Sequence, residues 1–112
     1  MSGKSEISLI AKKLYIMLSE NEIIEIANTY LTTLEPKIGE PLILPQELMI
    51  KKNYGIYFIY HSKKYWETKN WEEKLLGNAP FLVEKSTGKI IEFGTNRSME
   101  EYIKEYEAGK YS

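Results

Sequence analysis

The sequence contains no cysteine and no aspartate, and only one histidine and one arginine, among its 112 residues. Without cysteine there are no disulfides and no thiol chemistry, and nothing indicates an oxidising compartment. All sixteen acidic residues are glutamates, and fourteen of the fifteen basic residues are lysines. Because nucleophile–base pairs and zinc sites draw mainly on cysteine, histidine and aspartate, these absences count against most catalytic and metal-binding classes.

Long apolar runs are also missing: none approaches the ~20 residues that a membrane-spanning helix requires. Lys12 and Lys13 interrupt the apolar residues near the start, and no small-residue cleavage pattern follows, so a signal peptide is not indicated. A net charge of −1 is not typical of a protein that binds nucleic acid. We therefore expect a cytoplasmic protein without nucleic-acid or membrane partners.

The length and the apolar fraction of 43% are typical of one soluble globular domain. Charge is distributed unevenly, since residues 19–50 carry −5 and residues 51–78 carry +3. The acidic block around Glu22 and Glu25 is a candidate face for a basic partner, although a solvated helix surface explains it equally well.

Two segments in the first third have the apolar spacing of amphipathic helices. The first covers residues 6–18, part of which could also pair as a short strand. The second covers about residues 20–34, and it opens with the capping box formed by Ser19 and Glu22. Pro36 disfavours the helical region for the residue before it, so we expect the helix to end there.

The middle of the chain is rich in aromatic and branched residues, which favour strands. Two glycine-containing turns separate the runs, at residues 52–55 and 86–88. Pro45 suggests an edge strand or a bulge. The apolar runs expected to form or join strands are 42–44, 48–50, 56–60, 81–83 and 90–93.

A third helix is predicted from a second capping box, Ser98 with Glu101, up to Gly109. Strands joined by short turns pair antiparallel. The predicted fold class is therefore α+β, with a small antiparallel β-meander of three to four strands and the helices packed on one face.

No catalytic or metal-binding set stands out. His61 follows a predicted strand and precedes polar residues, which favours a surface position over a catalytic one. Adjacent glutamates on a helix point about 100° apart and do not converge. The glycine-containing turns do not have the spacing of a phosphate-binding loop. We expect no catalytic residue, no metal, no cofactor and no enzymatic activity.

Three aromatic residues, Tyr65, Trp66 and Trp71, lie in a polar connection predicted for residues 61–78. The tryptophans could fold back as a lid over the sheet. They could instead be exposed anchors for a protein partner, because Trp and Tyr dominate interface hot spots. Stacking on single-stranded nucleic acid is disfavoured by the single arginine and the interleaved glutamates.

Residues 76–106 contain several short pieces in a fixed order: Gly77-Asn78-Ala79-Pro80, a strand with the Thr87-Gly88 turn, Gly94-Thr95, Glu101-Tyr102 and Tyr106. This order resembles the immunity protein 35 family of bacterial polymorphic toxin systems, which also includes YrhB-like proteins. The chain has Glu84 where that family often has aspartate, and Tyr57 and Phe58 where it often has a tryptophan. Residues 1–18 do not align.

From length and apolar spacing we expect one domain over residues 1–112, in which a helical N-terminal extension (1–18) precedes a core (19–108) that resembles the immunity-protein family. The resemblance implies a protein that binds a cognate bacterial toxin in a one-to-one complex and occludes it without catalysis. A chaperone-like protein that holds unfolded clients is the alternative.

The expected partner-binding residues are three aromatic anchors and three glutamates at the rim of the interface. They are Tyr65, Trp66 and Trp71, with Glu67, Glu72 and Glu73. The acidic helix around Glu22 and Glu25 is the second candidate face.

Overall fold

The computed structural model describes residues 17–75 and 77–111, which form helices and antiparallel strands. The helices are α1 (Glu20–Ile38), α2 (Lys63–Thr68) and α3 (Met99–Glu107). The strands are β1 (Leu42–Ile43), β2 (Ile50–Lys52), β3 (Gly55–Phe58), β4 (His61–Ser62), β5 (Phe81–Glu84) and β6 (Ile90–Glu92). Short 3₁₀ turns cover Gln46–Leu48 and Trp71–Glu73. The predicted α+β class is confirmed.

The helix predicted for residues 6–18 lies outside the described residues, apart from its last two positions. Met17 and Leu18 are described, and they have no regular secondary structure. This end of the prediction is therefore wrong, because the chain is already in the connection to α1 at these residues.

Helix α1 begins at the predicted capping box. The Ser19 hydroxyl accepts the Glu22 N–H at 3.1 Å, and the Glu22 carboxylate accepts the Ser19 N–H at 2.8 Å. The helix continues to Ile38, four residues beyond the expected end, with Pro36 in its last turn. A proline there removes one hydrogen bond without ending the helix. The helix ends at Gly39, whose φ of 89° provides the left-handed C-cap.

The main sheet is antiparallel throughout, in the order β2-β3-β5-β6. Tyr57 pairs with Leu82, and Leu82 pairs with Ile91, so these residues of β3, β5 and β6 lie side by side across the sheet. Strands β1 and β4 pair with each other in a separate two-stranded sheet. Pro45 lies between β1 and the Gln46–Leu48 turn, and it forms neither an edge strand nor a bulge.

Helices cover both faces of the main sheet, so the expected placement on one face is wrong. Alternate residues of β3 and β5 point to opposite faces, and both sets are apolar, as in a strand buried on two sides. One face packs against Ile23, Ala27 and Leu31 of α1, and its sheet residues are Ile56, Phe58, Phe81 and Val83. The other packs against Tyr102 of α3, and its residues are Tyr57, Leu82, Ile91 and Phe93.

The polar connection predicted for residues 61–78 begins with strand β4 and contains helix α2 and the Trp71–Glu73 turn. The Ser62 side chain accepts the Tyr65 N–H at 3.2 Å, which caps the six-residue helix α2. The helix ends at Lys69, which adopts a left-handed φ of 56°. The Asn70 side chain then accepts the Glu72 N–H at 3.1 Å at the start of the Trp71–Glu73 turn. These side-chain caps stabilise helix α2 and the Trp71–Glu73 turn in a segment that contains few apolar residues.

Candidate partner-binding surface

The six residues predicted to bind a partner lie on α2 and on the Trp71–Glu73 turn, which pack against each other. We call this set the aromatic surface; it comprises Tyr65, Trp66, Glu67, Trp71, Glu72 and Glu73. The structure therefore brings the predicted residues into one region, although it gives the three aromatic side chains different environments.

Trp66 and Tyr65 fold back toward β4. The Trp66 ring stacks on the His61 imidazole, with 5.4 Å between centroids and 18° between planes. The Nζ atom of Lys69 lies 3.1 Å from the centroid of the Trp66 ring. The Tyr65 ring lies 5.4 Å from the His61 ring. Both aromatic residues are half-buried, and Trp66 folds back as one of the two predicted alternatives, although it packs on β4 of the separate two-stranded sheet.

Trp71 is different because 73% of its surface is exposed. The Nζ atom of Lys74 lies 4.7 Å from the ring centroid, within the range of a cation–π contact. In the part of the chain that the structure describes, the only other exposed large hydrophobic side chain is Met17. Trp71 is thus an apolar side chain presented to solvent, as expected of an anchor.

The charges around Trp71 are mixed. Lys64 and Glu73 form an ion pair at 3.2 Å that links α2 to the Trp71–Glu73 turn. Glu67 and Glu72 are exposed. A solvent-exposed ion pair contributes about 0 to 1 kcal/mol to stability, so this pair orients the turn more than it stabilises the fold.

His61 is half-buried beneath the aromatic surface, which differs from the surface position expected from the sequence. Its Nδ1 atom is buried, and it has no hydrogen-bond partner among the described residues. Burial lowers the pKa of His61, and the positive charges of Lys74 and Lys69 lower it further. The imidazole is therefore neutral at neutral pH, and it stacks on the Trp66 ring.

The lowered pKa of His61 predicts a loss of stability in mild acid. The unfolded chain binds a proton near pH 6.5, whereas the folded chain binds it only at lower pH. Stability therefore falls as the pH decreases from about 6.5 through the folded pKa. We expect the urea midpoint of the wild type to fall between pH 7.5 and 5.5.

The His61→Gln variant is the control for this experiment, because it retains a polar side chain that does not titrate. Its midpoint should change less than that of the wild type over the same pH interval. Equal changes in the two proteins would show that other groups cause the effect.

A cavity of about 340 Å³ lies beside His61. It is lined in part by the residues that carried the family resemblance. One of them, Asn78, donates a hydrogen bond from its side-chain amide to the Tyr60 carbonyl at 2.7 Å. Sequence reasoning did not anticipate that these separate motifs meet at one cavity. The lining includes Lys74, Asn78, Pro80, Gly94, Thr95 and Arg97.

The acidic face of α1, the second candidate surface, lies along a groove between α1 and β6. The groove has a volume of about 530 Å³, and Glu22 and Glu25 line it. Tyr30 also lines it, and its hydroxyl donates to the Glu92 carboxylate of β6. Burial and this carboxylate raise the pKa of Tyr30, so the hydroxyl keeps its proton and the hydrogen bond at neutral pH.

Within residues 17–75 and 77–111, no helix is both long and apolar enough to cross a membrane. In the same described ranges, no three histidine or glutamate side chains are grouped as metal ligands would be.

Comparison with known proteins identifies a family and a relative. The sequence profile of the family described as Immunity protein 35 matches residues 21–108. The "Uncharacterized protein YrhB" of Escherichia coli (strain K12) is 39% identical over 56 residues, which are 50% of this chain and 60% of that protein. This chain thus spans about 60% of the length of the curated relative that it matches. No solved structure matches it significantly.

Proposed function

Since the chain belongs to the Immunity protein 35 family, we propose that it binds one cognate bacterial toxin and neutralises it by occlusion. Immunity proteins of this kind are generally non-catalytic, and the family implies a toxin as the partner. One copy of the chain covers the active site, or another essential surface, of one toxin molecule. The proposed site of action is the cytoplasm, in agreement with a sequence free of cysteine.

The observation that carries the proposed binding site is the exposure of Trp71. An interface of standard size buries about 800 Å² on each partner, and a few aromatic or arginine anchors supply most of its binding energy. Trp71 is a large apolar side chain of this kind that lies outside the buried core of the described chain. Its contact with Lys74 restricts the ring before binding, which reduces the entropy lost on association.

The remaining members of the aromatic surface complete the proposed interface. Trp66 and Tyr65 lie on α2, which packs against the turn that carries Trp71, and the Trp66 ring stacks on His61. The three glutamates, Glu67, Glu72 and Glu73, form a polar rim. This arrangement fits a toxin surface in which an apolar pocket is bordered by charges of both signs, because Lys69 and Lys74 lie over the tryptophan rings.

The test is to capture the tagged protein from its own cells and to measure the mass and stoichiometry of what accompanies it. We expect one polypeptide with a toxin domain in a one-to-one complex. Cells that express this polypeptide should grow only when the immunity protein is co-expressed. A broad set of substoichiometric polypeptides, enriched after heat stress, would contradict the proposal.

A further inference from the structure

The cavity beside His61 adjoins the aromatic surface. Its volume of about 340 Å³ is near the lower end of the range for ligand pockets, which suits one side chain or another small group. His61 lines the cavity and also carries the stacked Trp66 ring. Lys74 lines the cavity and also lies over the Trp71 ring. A partner seated on the two tryptophans would therefore reach the cavity as well.

The lining of the cavity combines apolar side chains with cationic ones. Ile59, Pro80 and Met99, which are all half-buried, supply the apolar part. Lys74 and Arg97 are its charged side chains, and none of the described glutamates lines it. A group with an apolar stem and a negatively charged end is complementary to such a lining.

The available charge matches one negative charge. The Arg97 guanidinium is already paired with two carboxylates, at 3.6 Å from Glu101 and 3.2 Å from Glu105. Lys74 forms no ion pair within the described ranges, and its contact is with the Trp71 ring. A carboxylate carries one negative charge, whereas a phosphate group carries about −1.5 to −2 at pH 7. The carboxylate is therefore the better match.

His61 responds to any charge that enters the cavity. Burial lowers the pKa of His61, and the positive charges of Lys74 and Lys69 lower it further. Tyr65 is in ring contact with the imidazole, and Arg97 lines the same cavity. A carboxylate within about 4 to 6 Å favours the protonated imidazole. An anionic occupant should therefore raise the pKa of His61, whereas an apolar or cationic occupant should lower it.

We propose that this cavity receives an aspartate or glutamate side chain of the toxin. The carboxylate pairs with the Lys74 ammonium, and the methylene groups contact the apolar part of the lining. The proposal rests on the proposed function and extends the interface from the aromatic surface into the cavity. It also gives the interface specificity, because a toxin without this carboxylate would leave the Lys74 charge buried and unpaired.

A double-mutant cycle with the purified toxin domain tests the pair. Lys74→Gln removes the charge, and each acidic residue of the toxin domain is changed in turn to its amide. We expect Lys74→Gln to weaken binding by about 30-fold or more, as for one partner of a close interfacial charge pair. One amide variant of the toxin should lose little further affinity when it is combined with Lys74→Gln. Additive losses at every acidic position would overturn the proposal.

Two substitutions control for other effects of the change at Lys74. Lys74→Arg keeps the charge and the contact with Trp71, and it should retain most of the affinity. Lys37→Gln removes an exposed lysine that does not line the cavity, and it should leave the affinity unchanged. The free Lys74→Gln chain should unfold at the wild-type temperature, since Lys74 is exposed.

The imidazole supplies a readout that a structural role of Lys74 would not move. His61 is the only histidine of the chain, so its Cε1–H signal is unambiguous in an NMR pH titration of the isotope-labelled protein. The pKa of His61 should rise when the unlabelled toxin domain binds. The rise should be absent with the amide variant that the cycle identifies. A pKa that is unchanged or lower in the wild-type complex would overturn the proposal.

These outcomes separate the cavity from the proposed function. A one-to-one complex without coupling at Lys74 would overturn the role of the cavity and leave toxin binding intact. If the chain binds no toxin, the proposed function fails, and the proposal for the cavity fails with it.

Discussion

Trp71→Ala is expected to weaken binding to the captured toxin by about 30- to 1,000-fold. This range corresponds to the roughly 2 to 4 kcal/mol that is lost when a central aromatic anchor is truncated. The large effect is expected because Trp71 is 73% exposed in the free chain and would be buried in the complex. Titration calorimetry with the purified toxin domain measures the change.

Two controls separate binding from folding. Trp71→Ala should change the free energy of unfolding by less than about 0.5 kcal/mol, as is usual for exposed positions. Met17→Ala truncates the other exposed large hydrophobic side chain of the described residues, outside the aromatic surface, and should leave the affinity unchanged. If Trp71→Ala binds the toxin as tightly as the wild type, the aromatic surface is not the binding site.

Phe58→Ala is expected to lower the free energy of unfolding by about 3 to 5 kcal/mol. Phe58 is fully buried between the main sheet and α1, and its ring stacks on Phe81 with 5.3 Å between centroids. Total stability for a chain of this length is about 6 to 17 kcal/mol, so this one substitution removes a large part of it. Urea unfolding followed by tryptophan fluorescence measures the loss.

Phe58→Leu is the matched control, because it keeps most of the apolar volume. Its cost should be clearly smaller than that of the alanine variant. A loss below about 1 kcal/mol for Phe58→Ala would show that the α1 side of the sheet is not the well-packed core that its burial indicates.

Local sequence signals predicted much of this fold correctly. Each capping box depends only on residues three apart, and both Ser19 and Ser98 form the expected pairs of hydrogen bonds with Glu22 and Glu101. The Thr87-Gly88 turn also follows from local chemistry, since Gly88 adopts a φ of +75°. The family resemblance, which rested on the order of such pieces, is confirmed by the match over residues 21–108.

The candidate site was predictable in composition but not in geometry. Aromatic residues in a polar segment indicated Tyr65, Trp66 and Trp71. The exposure of each ring depends on contacts that the spacing does not encode, such as the stacking of Trp66 on His61. The groove beside α1 was not predictable either, because Ile90 and Ile26 meet there from distant parts of the chain.

The sequence by itself determined the helices that begin at capping boxes, the antiparallel hairpins and the family, because each depends on residues close together in the chain. Only the tertiary structure decided which face of the sheet each helix covers. Tyr57 and Phe58 are adjacent and point to opposite faces of the sheet, and both are apolar. The hydrophobic pattern therefore does not predict that Tyr57 faces α3 and Phe58 faces α1.

Gly55 is a second position at which the tertiary structure decides what the sequence alone does not. The sequence indicated a turn residue, but the structure places Gly55 in β3, where an added Cβ would lie 2.4 Å from the Val83 carbonyl oxygen. That requirement comes from the neighbouring strand, which is distant in sequence, and local propensity carries no information about it.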